Sequence, residues 1–280
     1  MLCGAMETAN FMALTPQQSS GLVVVSPEML RFPYHVRYEL LEFAVYVLAA
    51  RVQRLVPLHA ACVGREGRGI LLVGPSGSGK STLTLHCLLR GFDFLAEDSV
   101  LVRPQGLLAT GIANFLHLRR DSLRFLAAAD RTALLRKSSL IRRRSGVEKL
   151  EIDLRRPPYR LAATPQRICA VVFVSGSSAG SRPLLRALRP SSVLERLAAS
   201  QRYAAMQPGW RTFRRQIARL PVYELCRGSH PLRAVEALSE LLAAGVGATA
   251  PSVALPGRTG AGRVGLGDTV RVGGATPLDY

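Results

Sequence analysis

Lysine is nearly missing from this 280-residue chain: of 37 basic residues only Lys80, Lys137 and Lys149 are lysine, and with 19 acidic residues the formal net charge is +18. An excess of that size invites a nucleic-acid reading. Aromatics, however, are only 6% of the chain, and no basic run is interleaved with them as a single-strand binder requires. Nucleic acid is therefore disfavoured, and the charge reads as an anion-attracting surface suited to a nucleotide and an acidic partner. Cysteine is sparse and unordered: Cys3, Cys62, Cys87, Cys169 and Cys226 are odd in number and without C-x-x-C spacing. That excludes a disulfide frame or zinc site and predicts buried thiols in a reducing compartment. No apolar run reaches the roughly 18 residues a bilayer needs, and the longest, residues 40–50, carries Glu42. With no secretory pattern at the N-terminus either, a soluble cytoplasmic protein without a membrane contact is expected. What is present is a 48% hydrophobic content that can supply an aliphatic core.

The chain is organised around residues 70–98, ILLVGPSGSGKSTLTLHCLLRGFDFLAED. An apolar run meets a glycine-rich turn, a helical pattern follows to Gly91, and a second short run closes on Glu97 and Asp98. Within it Gly74, Pro75, Ser76, Gly77, Ser78, Gly79, Lys80, Ser81 and Thr82 satisfy G-x-x-x-x-G-K-[ST]. The motif needs these residue types. Glycines let backbone N–H groups curl around phosphate oxygens, and the following helix points its positive dipole end at the same anion. Lys80 can then reach the β- and γ-phosphates, and the Ser81 hydroxyl can ligate Mg²⁺. Binding of a nucleoside triphosphate is the inference; the loop alone does not say what is done with it.

Around this unit residues 1–20 are weakly patterned, with 16–20 reading as loop, and the pattern predicts a strand at 22–26 and an amphipathic helix over 38–55. Strands at 59–63 and 70–73 flank a tight turn at 64–69, which predicts antiparallel pairing beside the nucleotide site. A helix is expected at 81–90, then strands at 92–96, 99–102 and 107–112, and a helix at 122–129 capped by Asp121. The basic stretch 131–144 reads as a solvated loop, 149–154 as an edge strand, and 168–175 as a buried central strand. Helices at 192–203, 210–220 and 231–244 and strands at 184–188 and 222–225 complete the pattern. Residues 246–280 are rich in Gly, Ala, Pro, Thr and Val without periodicity, the composition of a disordered tail. The division is thus an N-terminal extension, 1–57, packed on a P-loop domain, 58–245, with the tail beyond it.

Several P-loop classes carry a second signature. No L-S-G-G-Q-like element and no Asn-Lys-x-Asp base reader occur here, and the long apolar run 168–174 ends in Ser175-Gly176 without a carboxylate. The first carboxylates after the loop are Glu97 and Asp98, at the end of the very next strand. A pair there can give one group to Mg²⁺ and the other to accepting a proton from an attacking hydroxyl.

The succession His59-Ala60, GPSGSGKST and L-x-R-G-F-x-F-L-A-E-D-S-V resembles the catalytic domain of HPr kinase/phosphorylases, closely over residues 58–102. The resemblance implies an α/β fold, a P-loop in a mixed or antiparallel sheet related to phosphoenolpyruvate carboxykinase. It also implies ATP- and Mg²⁺-dependent phosphorylation of a serine on a protein or peptide. Carried over by position, Lys80 serves phosphate, Ser81 and Asp98 serve Mg²⁺, and His59 lies near the phosphate site. Glu97 stands where the family has its first aspartate, the catalytic base. Lys149 and the arginines of 131–144 are candidates for phosphate contacts. The separate N-terminal domain of full-length members is not expected, and the later signature of the phosphorylase reaction is not recognisable. Shortened relatives accompany peptide-modifying gene clusters, so the acceptor is either HPr-like or a precursor peptide, and homo-oligomerisation stays open. A small-molecule kinase or carboxykinase-like enzyme and a non-catalytic ATP-binding regulator are the competing readings.

Overall fold

A computed structural model describes residues 1–112, 114–180 and 183–244 of the chain. The tail expected at 246–280 lies outside the described residues. Strands β1 (Leu2–Glu7), β2 (Asn10–Thr15) and β3 (Ser20–Val24) precede α1 (Phe43–Val52). Then come β4 (Val56–Leu58), β5 (Ala61–Arg65), β6 (Arg68–Val73), α2 (Lys80–Leu89), β7 (Asp93–Ala96), β8 (Val100–Arg103), β9 (Leu108–Thr110) and β10 (Phe115–Leu118). The chain continues through α3 (Ala128–Lys137), β11 (Ser139–Arg142), β12 (Glu148–Asp153), β13 (Arg160–Leu161) and β14 (Gln166–Ser178). It ends in β15 (Leu185–Ala187), α4 (Pro190–Ser200), α5 (Arg202–Ala205), α6 (Trp210–Ile217), β16 (Val222–Arg227) and α7 (Pro231–Ala244).

The main sheet is mixed, in the order β13-β7-β5-β6-β14-β9-β8-β4, with β16 and β15 added beside β14. Its central strands are apolar on both faces because both are covered by helices. Val63, Ile70, Leu72 and Val172 pack against α2 and α7 through Leu83, Val235 and Leu238. Cys62, Leu71, Val73 and Val171 pack against Val193, Leu197, Trp210 and Phe213 of α4 to α6. A second, small sheet, β10-β12-β11, lays Leu116, Leu118, Leu150 and Ile152 over Leu85 and Leu88 of α2.

The direction of the strands fixes where chemistry can occur. β5 runs antiparallel to both β6 and β7, with Ala61 opposite Leu72 and Cys62 opposite Ala96. The start of β5 therefore lies at the same sheet end as the finishes of β6 and β7. Three loops converge there: residues 59–60, the glycine-rich loop, and Glu97-Asp98. The antiparallel hairpin expected at 64–69 is present, with Glu66 and Gly67 at φ of 54° and 77° in its turn.

The structure corrects several expectations. The weakly patterned start holds strands: β1, β2 and β3 form a separate antiparallel sheet whose inward Met12 and Leu14 meet Ala44 and Val47 of α1. The small residues of LCGAME gave too weak an alternation to reveal it. The basic stretch 131–144 is helix α3 followed by β11, anchored by the single buried Leu134. β12 is accordingly the middle of its sheet and not an edge. The helix expected over 38–55 begins earlier, as a wide π-helical segment, His35–Glu42, that continues into α1.

Candidate active site

The loop between β6 and α2 is built to approach an anion. Gly77 and Gly79 hold φ of +78° and +104°, which side-chain-bearing residues rarely adopt, and open space lies where their Cβ atoms would be. A Cβ on Gly74 would stand 2.6 Å from the Val174 carbonyl oxygen and 2.9 Å from Ser78 Oγ, so the loop closes against β14 only with glycine there. The Ser78 hydroxyl is buried and has no hydrogen-bond partner among the described residues. Pro75, Ser76 and Gly77 form the exposed crown of the loop. Lys80 Nζ donates to the carbonyls of Gly74, at 2.6 Å, and Pro75, at 3.3 Å. Burial pushes its ammonium below the ordinary lysine value; Asp98 and Glu97 oppose that shift and Lys149 reinforces it. Behind the loop Thr82 Oγ1 and Ser122 Oγ share a 2.7 Å hydrogen bond, which ties α2 to the segment after β10.

The two carboxylates after β7 take different positions, as consecutive residues at a strand end do when their side chains alternate in direction. Glu97 is buried. Ser81 Oγ donates to its Oε1 at 2.5 Å and the His117 backbone N–H donates to its Oε2 at 2.6 Å. Burial alone raises the Glu97 carboxyl; the hydrogen bond and charge of His117, the charge of Lys149 and the Ser81 hydroxyl outweigh it, and the group sits below its ordinary value. Asp98 is exposed, and its Oδ1 lies 3.4 Å from His59 Nδ1. The expected pairing of Ser81 with Asp98 is thus not what the structure brings together: the carboxylate on Ser81 is Glu97, and Asp98 partners His59.

His59 is clamped from behind by Gln201, whose Oε1 accepts from the His59 backbone N–H at 2.7 Å and whose Nε2 donates to its carbonyl at 2.9 Å. Neither Gln201 nor His117 was marked by the sequence pattern, since each reaches the site only through the tertiary fold. Lys149, on β12, stands close enough to bias both Lys80 and Glu97. Among the arginines of 131–144, Arg143 is engaged with Tyr34 and Glu39.

These residues fit a Mg²⁺-nucleoside triphosphate. The partnerless Ser78 hydroxyl, the side-chain-free space over Gly77 and Gly79 and the free N–H groups of the first turn of α2 make a phosphate cradle. Ser81 and Glu97 are hard oxygen donors, and Mg²⁺ is characteristically held by one or two protein oxygens together with phosphates. No grouping of three or more His, Cys, Asp or Glu side chains able to hold a metal is found among the described residues.

Comparison with known proteins agrees with the motif. The chain is 44% identical over 48 residues to the HPr kinase/phosphorylase of Chlorobium chlorochromatii, 17% of this chain and 14% of that protein. It is 32% identical over 72 residues to that of Listeria monocytogenes, 25% of this chain and 23% of that protein. A third relative of the same name, from Chlorobium phaeobacteroides, is 37% identical over 67 residues. The matched segments span less than a quarter of those curated relatives. A solved structure of the Hpr(Ser) kinase/phosphatase from Coxiella burnetii aligns with 66% of this chain and 94% of that one, at 13% identity and a TM-score of 0.33. No protein-family profile matches the chain. The sequence matches support an HPr-kinase-like family, and no described helix is long and apolar enough to cross a membrane.

Proposed function

We propose that the chain is an HPr-kinase-like serine kinase that transfers the γ-phosphoryl group of ATP to a serine hydroxyl of a protein or peptide. The observation that carries the reading is the separation of its two carboxylates onto opposite partners, Glu97 on the loop serine and Asp98 on His59. A carboxylate whose two oxygens already accept hydrogen bonds, and whose pKa is lowered, is a weak base but a good fixed negative charge. Glu97 therefore serves the Mg²⁺ side together with Ser81. Mg²⁺, when bound, supplies neutralisation of charge on the phosphate oxygens. Lys80 and the loop amides bind and orient the triphosphate. Asp98, free of such donors, takes the proton of the acceptor hydroxyl, and His59 holds its carboxylate in place.

Exposure supports a macromolecular acceptor. The side chains of His59 and Asp98 are 53% and 59% accessible, whereas small-molecule sites bury most of their ligand in a cleft. An open pair of this kind suits a serine presented on another macromolecule, and the positive net charge favours an acidic one. HPr and a precursor peptide are the candidates to try.

Mass spectrometry of candidate acceptors co-expressed with the wild type, Lys80→Ala and Asp98→Asn tests the reading. Phosphoserine is expected with the wild type alone. Phosphoserine that persists unchanged in both variants overturns it, and ATP turnover stimulated by metabolites but not by proteins points to a small-molecule kinase instead.

A further inference from the structure

The ring of His117 is nearly closed off from solvent, and the groups that close it come from the N-terminal extension. Tyr38 stands edge-to-face with it at 4.4 Å between ring centres and 80°, and Tyr34 at 5.7 Å and 71°. Both tyrosines are fastened from the small sheet. The Tyr38 hydroxyl donates to Glu151 Oε1, and Arg37 Nη1 donates to the same oxygen at 3.0 Å. Arg143 donates to the Tyr34 hydroxyl at 2.5 Å. Glu151 is the residue directly opposite His117 across the β10–β12 pair. Tyr34 stands at the start of the wide helix His35–Glu42 and Tyr38 within it, 5.3 Å between ring centres, and π-type widening is common where a helix serves a site.

The consequence reaches Glu97. Its Oε2 accepts from the His117 backbone N–H, and His117 Nδ1 lies 3.6 Å from the same oxygen. His117 Nε2 is buried without a hydrogen-bond partner among the described residues. The ring thus presents Nδ1 to the carboxylate and encloses Nε2. Among the described residues, no other group donates a hydrogen bond to Oε2. We propose that His117 is a positioning residue for Glu97 and that Tyr38, held by Glu151, fixes His117, so that the N-terminal extension completes the Mg²⁺-nucleotide site. The proposal rests on the reading of Glu97 as the Mg²⁺-side carboxylate.

The test is calorimetric binding of a non-hydrolysable ATP analogue to the full chain, with Mg²⁺ and with chelator. Tyr38→Ala and His117→Ala are expected to lose the Mg²⁺-dependent gain in affinity by about tenfold, the lower end of what groups orienting a metal ligand contribute. Chelator-state binding is expected to be unchanged, and Tyr38→Phe, which keeps the ring but loses the hydroxyl that Glu151 holds, is expected to fall between the wild type and Tyr38→Ala. Melting curves establish that each variant is folded; should Tyr38→Ala not fold, His117→Ala carries the comparison. A Mg²⁺-dependent gain equal to wild type in the folded alanine variants overturns the proposal. So does an equal loss with and without Mg²⁺, which is the mark of a merely structural role. A wild type without any Mg²⁺-dependent gain refutes instead the reading of Glu97 on which the proposal stands.

Discussion

Helix α2 carries the nucleotide-binding residues at its start and a buried histidine, His86, on its body, which makes the docking of this helix sensitive to acid. His86 sits edge-to-face with His230 at 5.5 Å and with Phe125 at 6.4 Å, and its Nε2 is buried without a partner. Burial, with His230 and Arg90 pushing the same way, lowers its pKa from 6.5 to about 4. A depressed histidine is protonated first in the unfolded chain, so stability is fully present above 6.5 and is lost as pH falls from there toward about 4. At pH 5 the two values give a population ratio of about 30, or about 2 kcal/mol of lost stability relative to pH 8. Urea denaturation of the wild type and His86→Leu at pH 8 and pH 5 measures it. The leucine removes an unsatisfied buried nitrogen at similar volume, so at pH 8 the variant is expected within about 1 kcal/mol of the wild type. Between the two pH values it is expected to lose about 2 kcal/mol less. Equal losses in the two proteins would falsify the assignment of a buried neutral imidazole to His86.

Three further predictions concern the site itself. Asp98→Asn is expected to lower kcat by about 10²- to 10⁴-fold with nucleotide affinity retained. Glu97→Gln is expected instead to raise the Mg²⁺ concentration needed for half-maximal rate; steady-state kinetics with Mg²⁺ titration that gave the reverse pattern would return the base to Glu97. Gly74→Ala places a Cβ 2.6 Å from the Val174 carbonyl oxygen, on the central strand β14. It is expected to cost about 1–3 kcal/mol of stability and to weaken nucleotide binding, read by thermal melts and a fluorescent ATP analogue; a melting point and affinity equal to wild type would show that the loop can back away from β14.

The phosphate loop was legible because its chemistry lies in consecutive residues, and the β5–β6 hairpin because its turn residues lie between two apolar runs. What was not legible needed either direction or distance. Glu97 and Asp98 are adjacent in the chain and differ by one step of the strand, which sends one side chain to Ser81 and the other to His59; composition cannot say which. Gln201 meets His59 across 142 residues, and His117 is defined by Tyr34, Tyr38 and Glu151, none of which carries a motif. The basic stretch 131–144 looked like solvated loop because its helix is mostly exposed and is held by one buried leucine.

The reversed strand between the loop strand and the carboxylate strand has a chemical consequence. In an all-parallel P-loop sheet the neighbour of β6 would present its C-terminal end at the site. Here β5 is antiparallel, and it presents its beginning. The residue delivered is therefore one that precedes a strand, His59, whose backbone has no ladder partner of its own at that point. Gln201 supplies the missing pair: its side-chain amide accepts from the N–H and donates to the carbonyl, the two bonds that a neighbouring strand would make. Gln201 stands at the junction of α4 and α5, on the far side of the sheet from α2. The position of the His59–Asp98 pair is thus set from one sheet face while Lys80, Ser81 and Glu97 are set from the other, so the acceptor half and the nucleotide half of the site rest on separate parts of the fold.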